Sequence, residues 1–236
     1  MIKWLPYNFQ NFESIQLITI DWLNDYIFIF LFFILVTIGG ILFSLSKNFF
    51  LNIKFLEASF LEFFWTVIPG FILVFIGIPS LSVLYRMEST NIFNLTLKIT
   101  GNQWYWSYDY SDFQNIEFDR YLKPLEDLGL NEPRLLETDN KIILPYLSSV
   151  RLLISSSDVL HRWAIPSLGL KADANPGRLN ILSINSLDIC GIFYGQCSEI
   201  CGANHSFIPI SLEVSPFYNF IIWLKIFLSG GLIHGV

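Results

Sequence analysis

Two stretches of this chain carry no charge. Between Asp25 and Lys47, the 21 residues from Tyr26 to Ser46 are uncharged and mostly apolar, and so are the 23 from Phe63 to Tyr85, between Glu62 and Arg86. At 1.5 Å per residue these runs would reach roughly 31 and 34 Å as helices, against a hydrocarbon core of about 30 Å. A buried helix of a soluble protein is seldom so long and so free of charge. The pattern predicts an outer segment 1–25, a transmembrane helix 26–46, a short inner loop 47–62 and a second transmembrane helix 63–86. Pro69 and Pro79 lie inside the second run. Membrane helices tolerate proline where neighbours satisfy the freed carbonyls, so a kink is expected there. The first run starts late, is long and has only Lys3 ahead of it, so it reads as a span and not as a removable signal. Lys47 and Lys54 in the loop balance Lys3, Arg86 and Lys98 outside it, and the Lys/Arg bias does not orient the hairpin.

Beyond Met87 the pattern changes. Asn94–Thr100 alternates, with Leu95, Leu97 and Ile99 on one face, and Lys141–Leu144, Val150–Ile154, Leu179–Ile184 and Ile210–Val214 also read as short strands. Turn signals fall between them, notably Asn175-Pro176-Gly177. Residues 87–216 therefore read as one soluble β-sandwich or barrel. Within it Asp112–Asn140, charged and holding Pro124 and Pro133, reads as an insertion loop. The tail 217–236 is apolar but interrupted by Lys225 and Gly230-Gly231. It reads as too broken to span and as lying at the membrane surface.

Composition sharpens this division. Charged residues are 14% of the chain, against roughly 25% in ordinary soluble domains. With a net charge of −6, the chain lacks the basic surface of a nucleic-acid binder, and it is too apolar to be disordered. From Met87 onward there are ten Lys/Arg and fifteen Asp/Glu, so nearly all the acidity belongs to the soluble part. An acidic head suits a basic partner.

Residues able to hold a soft metal are few: three cysteines, three histidines and two methionines. All the cysteines and histidines but Cys190 and His234 gather in two places. Cys197, Cys201 and His205 follow one another at intervals of four, and His161 lies in Val159-Leu160-His161-Arg162-Trp163. In a loop this spacing lets two thiolates and an imidazole converge, with His161 brought in by the fold. Two Cys and two His also suit zinc, so spacing alone leaves copper and zinc open.

The run Tyr194-Gly195-Gln196-Cys197-Ser198-Glu199-Ile200-Cys201-Gly202-Ala203-Asn204-His205-Ser206-Phe207 resembles the copper-A motif of the mitochondrial-type cytochrome c oxidase subunit 2 family. Gly101-Asn102-Gln103-Trp104-Tyr105-Trp106-Ser107-Tyr108, Arg134-Leu135-Leu136-Glu137, Asp158-Val159-Leu160-His161, Trp65-Thr66-Val67-Ile68-Pro69 and Pro79-Ser80-Leu81 extend the resemblance in order. Only the first ~20 residues and the tail after Ser215 are loose. The resemblance implies a membrane hairpin carrying a cupredoxin-like domain. It implies a binuclear copper-A centre bridged by Cys197 and Cys201, with His161 on one copper and His205 and the Glu199 carbonyl on the other. The Glu199 side chain would reach a magnesium at the interface with the haem-bearing catalytic subunit. The family places a methionine thioether three residues after His205; here that residue is Ile208, which cannot ligate. The codon ATA means isoleucine in the standard code and methionine in several mitochondrial codes, so a recorded Ile208 that is truly methionine is a second hypothesis.

By the same resemblance Trp104 is the ring at which an electron enters from cytochrome c. Asp109, Asp112, Asp139, Asp158 and Asp173 are candidates for the docking patch; Ser157 stands where family members often have a further acid. Glu62 completes a capping box with Ser59, and the family's matching glutamate lies near the mouth of a proton pathway. Cys190 reads as a small buried residue, and His234 has no visible partner. No haem-ligand or oxygen-site constellation is present, so this chain alone would do no oxygen chemistry. The implied role is the electron-uptake subunit of a proton-translocating respiratory oxidase in the mitochondrial inner membrane, its head in the intermembrane space, among lipid and other oxidase subunits. Two rivals stay open: a copper-free structural subunit of a quinol-type oxidase, and a zinc-stabilised, membrane-anchored docking domain.

Overall fold

A computed structural model of the chain describes residues 14–50, 56–88, 92–114, 116–184 and 186–229. Lys3, Lys54, Gly230-Gly231 and His234 lie outside them. The chain forms two compact units, Thr19–Met87 and a head made of the remainder.

The first unit is the helical hairpin. Helix α1 spans Ile15–Lys47 and α2 spans Ser59–Glu88, both apolar enough to cross a membrane. Each is longer than its uncharged run. Charges interrupt a membrane core but not a helix, so α1 begins eleven residues before the predicted span. Asp21 and Asp25 ride within it. In α2 the first helical bond runs from the Glu62 N–H to the Ala58 carbonyl at 2.9 Å. Ala58, and not Ser59, therefore stands at the cap, one position from the capping box read in the sequence. Helix α2 continues through Pro69 and Pro79. Pro79 has no N–H for the carbonyl of Phe75, four residues back. That carbonyl accepts the Tyr26 hydroxyl of α1 at 3.2 Å.

The head is a β-sandwich, with ten strands among the described residues. They are β1 Leu95–Asn102, β2 Tyr105–Tyr110, β3 Glu117–Arg120, β4 Ile142–Pro145, β5 Val150–Ser156, β6 His161–Ile165, β7 Leu170–Ala174, β8 Asn180–Ile184, β9 Gly191–Gln196 and β10 Pro209–Ser215. One sheet runs β3-β2-β1-β5-β8, a second β4-β10-β9, and β6 pairs with β7. β1 lies antiparallel to β2 and parallel to β5, with Leu97 opposite Tyr110 and Leu152. Alternation does its work here: Leu95, Leu97 and Ile99 are buried on one face of β1. They share the core with Trp106, Trp163, Ile154 and Leu212.

Three expectations need correction. The segment Asp112–Asn140 is not all loop, because β3 lies within it and pairs with β2, Trp106 opposite Arg120. Cys190 is exposed, at the start of the edge strand β9. The tail holds helix α3, Phe217–Leu228, which packs on the head and does not lie apart from it. Phe220, Trp223, Leu224 and Phe227 recur at helical spacing. Trp223 packs against Tyr110 and Phe118, with ring centroids 5.2 and 6.4 Å away. Within the head unit, the Ser14 hydroxyl donates to the Leu168 carbonyl at 2.6 Å and accepts the Leu17 N–H at 3.1 Å.

Candidate metal centre

The candidate ligand residues come from two segments. His161 opens β6, while Cys197 and Cys201 lie on the turn after β9. His205 starts a one-turn 3-10 helix, His205–Phe207, that leads into β10. Close backbone approach holds these segments together. A β-carbon at Gly195 would stand 1.9 Å from the Ala164 carbonyl oxygen, so only glycine lets β9 run this near β6. Beyond it the Ser198 N–H donates to the Arg162 carbonyl at 2.9 Å, and the Cys197 N–H to the Ile208 carbonyl at 3.1 Å. Gly101 makes room for the imidazole: a β-carbon there would lie 3.0 Å from the His161 ring.

The resulting cluster is compact. The Cys197 and Cys201 Sγ atoms are 4.0 Å apart, and both are free thiols. His161 Nδ1 lies 3.9 Å from Cys197 Sγ, and His205 Nδ1 lies 3.6 Å from Cys201 Sγ. The Glu199 carbonyl oxygen is 3.4 Å from Cys197 Sγ. His161, Cys197 and Cys201 are buried and offer ligand atoms within 4.8 Å of one another. His205 is half-buried at the rim. Ile208 is 1% exposed and belongs to the same apolar cluster as the two cysteines.

Electrostatics set the two thiols apart. Burial opposes ionisation of Cys197, but hydrogen bonds with His161, with the Arg162 and Glu199 backbones and with His205 outweigh it. They bring the thiol down to about 6. Burial, reinforced by Cys197, pushes the Cys201 thiol up to about 12. A metal must therefore displace the Cys201 proton, and its affinity should rise with pH. His161 turns its other nitrogen, Nε2, to Asp158 Oδ1 at 2.9 Å. A carboxylate on the far nitrogen is the usual orienting partner of a metal-binding imidazole. Burial lowers the His161 pKa, but Cys197 and Asp158 together raise it above the ordinary histidine value.

The other candidates fall in different places. Trp104 follows β1 and is half-buried beside the turn at Gly202, while Glu62 is exposed in the first turn of α2. The Glu199 carboxylate receives Arg162 Nη2 at 3.2 Å, and Arg162 also pairs with Asp173. Four of the five docking acids have partners within the chain. Asp112 accepts the Thr96 N–H, Asp139 the Tyr121 and Asn140 N–H groups, Asp158 His161, and Asp173 Arg162. Asp109 lies on β2 opposite Glu117, next to the Ser107–Asp119 pair. Sequence reasoning missed Glu117 and Asp119, since β3 was read as loop. It also missed Gln103, which touches two ligand segments and is chemically unremarkable.

Comparison with known proteins agrees with this geometry. A family described as "Cytochrome C oxidase subunit II, periplasmic domain" matches residues 95–215, and its transmembrane-domain counterpart matches residues 3–83. Cytochrome c oxidase subunit 2 of Oncopeltus fasciatus is 48% identical over 229 residues, 97% of this chain and 100% of that protein. The subunit of Choristoneura rosaceana is 46% identical, covering 95% and 99%. The crystal structure of the periplasmic domain of subunit II of cytochrome oxidase from Bradyrhizobium japonicum has a TM-score of 0.56 and 39% identity. The match covers 61% of this chain and 100% of that domain. The periplasmic-domain family implies a copper centre, and the cluster at His161, Cys197 and Cys201 has the donor set for one. A two-helix hairpin, a cupredoxin-like head and relatives matched along nearly their whole length place the chain in the cytochrome c oxidase subunit II family, as the electron-uptake subunit of that mitochondrial oxidoreductase complex.

Proposed function

We propose that Cys197 and Cys201 bridge a pair of copper ions, that His161 binds one of them, and that His205 and the Glu199 carbonyl bind the other. The observation that carries this is the convergence of two free thiols, 4.0 Å apart, with an imidazole nitrogen near each. When bound, thiolate-bridged copper supplies a one-electron carrier whose ligands rearrange little as charge is shared over two metals. The protein's own part is to hold the donors fixed. Asp158 orients His161, the Arg162 and Ile208 carbonyls hold the Cys197–Ser198 backbone, and burial of both thiols excludes water.

Electrons come from cytochrome c at Trp104 and pass to the haem-bearing catalytic subunit. The acidic residues Asp109, Glu117 and Asp119 on β2 and β3 suit a basic partner; Asp112, Asp139, Asp158 and Asp173 add to the field despite their internal partners. Magnesium would take the Glu199 carboxylate, a hard oxygen donor that stays 38% exposed beside Arg162. The spans 26–46 of α1 and 63–86 of α2 cross the inner membrane, the connection between the two helices faces inward, and residues 87–216 face the intermembrane space. Glu62, exposed at the head of α2, would stand near the mouth of a proton pathway. Glu62→Gln should lower turnover while leaving assembly intact.

Metal analysis with electron paramagnetic resonance tests the centre. Two coppers per chain and one unpaired electron shared between them are expected. Zinc would support the docking-domain alternative, and no metal the quinol-type alternative.

A further inference from the structure

Gln103 makes two hydrogen bonds, one to each ligand segment. Its backbone N–H donates to Asp158 Oδ2 at 2.7 Å, and the other oxygen of Asp158 holds His161. Its side-chain Nε2 donates to the Cys201 carbonyl at 2.7 Å. The next residue is Trp104. Across from it lies Gly202, with φ of +127°, a conformation that L side chains rarely adopt. A β-carbon at Gly202 would also stand 3.1 Å from Gln103 Nε2 and 3.2 Å from Trp104 Nε1 and Cζ2. The indole is therefore seated directly against the peptide that follows Cys201. Its Nε1–H is buried there and has no hydrogen-bond partner among the described residues. A buried donor left unpaired is unfavourable, so hydrogen bonding is not what holds the ring in this position.

We propose that Gln103 and Gly202 are positioning residues for Trp104. The Gln103 amide ties the Trp104 turn to the Cys201 peptide, and the bare Cα of Gly202 lets the ring close on it. The inference rests on the reading of Trp104 as the point of electron uptake, and it adds what sets the distance from that ring to the centre. Asp158, through the same Gln103, links the turn to His161 as well.

The test uses the assembled oxidase carrying Gln103→Leu, Gly202→Ala or Trp104→Phe. Three things are read: electron uptake from reduced cytochrome c by stopped flow, the copper-centre spectrum, and the Trp104 ring position by cryo-electron microscopy. Displacing a reacting group by about 1 Å costs up to roughly a hundredfold in rate. Gln103→Leu and Gly202→Ala should each move the indole and slow uptake by about ten- to a hundredfold, with copper content and spectrum retained. An indole that keeps its place in both variants overturns the inference, whatever happens to the rate. So does loss of copper without ring movement, because Gln103 would then act on the ligand loop alone. If Trp104→Phe slows uptake while the other two do not, the positioning role fails and the reading of Trp104 stands. If Trp104→Phe leaves uptake unchanged, the reading of Trp104 itself fails.

Discussion

At the residue scale the metal cluster depends on side chains that are missing as much as on those present. A β-carbon at Gly195 would overlap the Ala164 oxygen at 1.9 Å, so β9 must move away from β6 to accept one. Gly195→Ala should therefore cost at least about 1–3 kcal/mol, the usual range for overpacking, and should separate Cys197 from His161. Copper content of the purified chain and its denaturation midpoint would both fall; full copper with an unchanged midpoint would contradict the close approach. Ile208 poses the opposite question. It is buried beside the cysteines but offers no donor. Ile208→Met keeps the apolar volume, costs under about 1.5 kcal/mol, and should shift the reduction potential by adding a thioether. The rival hypothesis, a methionine already at 208, is checked by peptide mass spectrometry over residues 202–214, and finding isoleucine ends it. The convergence of the four Cys and His side chains was legible in the sequence because they are chemically rare and regularly spaced. The contacts of Asp158 and Gln103 were not, because they arise only when a turn after β1 meets two distant loops.

Elements reveal where the sequence was read too narrowly. The two membrane helices were legible because an uncharged run is a one-dimensional signal, yet their ends were not. Asp21 and Asp25 end a hydrophobic run without ending a helix. The helix in the tail was hidden for the reverse reason. Lys225 and the glycine pair interrupt the apolar run, while Phe220, Trp223, Leu224 and Phe227 form a helical stripe that needs the aromatic face of the head to explain it. Trp223 is 8% exposed, and Trp223→Ala should destabilise the head by about 3–5 kcal/mol, seen as a lower midpoint in chemical denaturation followed by near-ultraviolet circular dichroism. Unchanged stability would mean that α3 only rests on the sheet. In the hairpin, Tyr26 supplies the donor that Pro79 withholds from Phe75. Hydrogen bonds between membrane helices average about 0.6 kcal/mol, so Tyr26→Phe should weaken hairpin association by roughly that amount. Replacing Pro79 with alanine restores the intrahelical N–H and should make Tyr26→Phe nearly neutral. A double-mutant cycle in detergent reads this coupling directly, and additive effects would rule the exchange out.

For the whole molecule, the mean hydropathy of +0.51 averages two unlike bodies, a charge-poor hairpin and an acidic head. The head's acids are not equivalent. Asp112, Asp139, Asp158 and Asp173 are engaged by backbone N–H groups, His161 or Arg162, and substituting them would disturb structure before it altered docking. Asp109 and Glu117 face each other across β2 and β3, and Asp119 follows two residues on. Like charges directly opposite in a sheet are destabilising, so the Asp109–Glu117 pairing does not serve the fold, whereas Asp119 accepts the Ser107 hydroxyl. This arrangement concentrates negative potential on the side of the head that carries β3, where a basic partner would be steered. Electron uptake from cytochrome c should then slow as ionic strength rises, because screening shortens the Debye length to about 8 Å at 0.15 M salt. Glu117→Gln with Asp119→Asn should lower the association rate at low salt and flatten its salt dependence. Stability should hold or rise, since a like-charge contact has been removed. Stopped-flow rates across a salt series decide the matter: a wild-type rate indifferent to salt, or a double variant with the wild-type slope, would take the docking role away from β2 and β3.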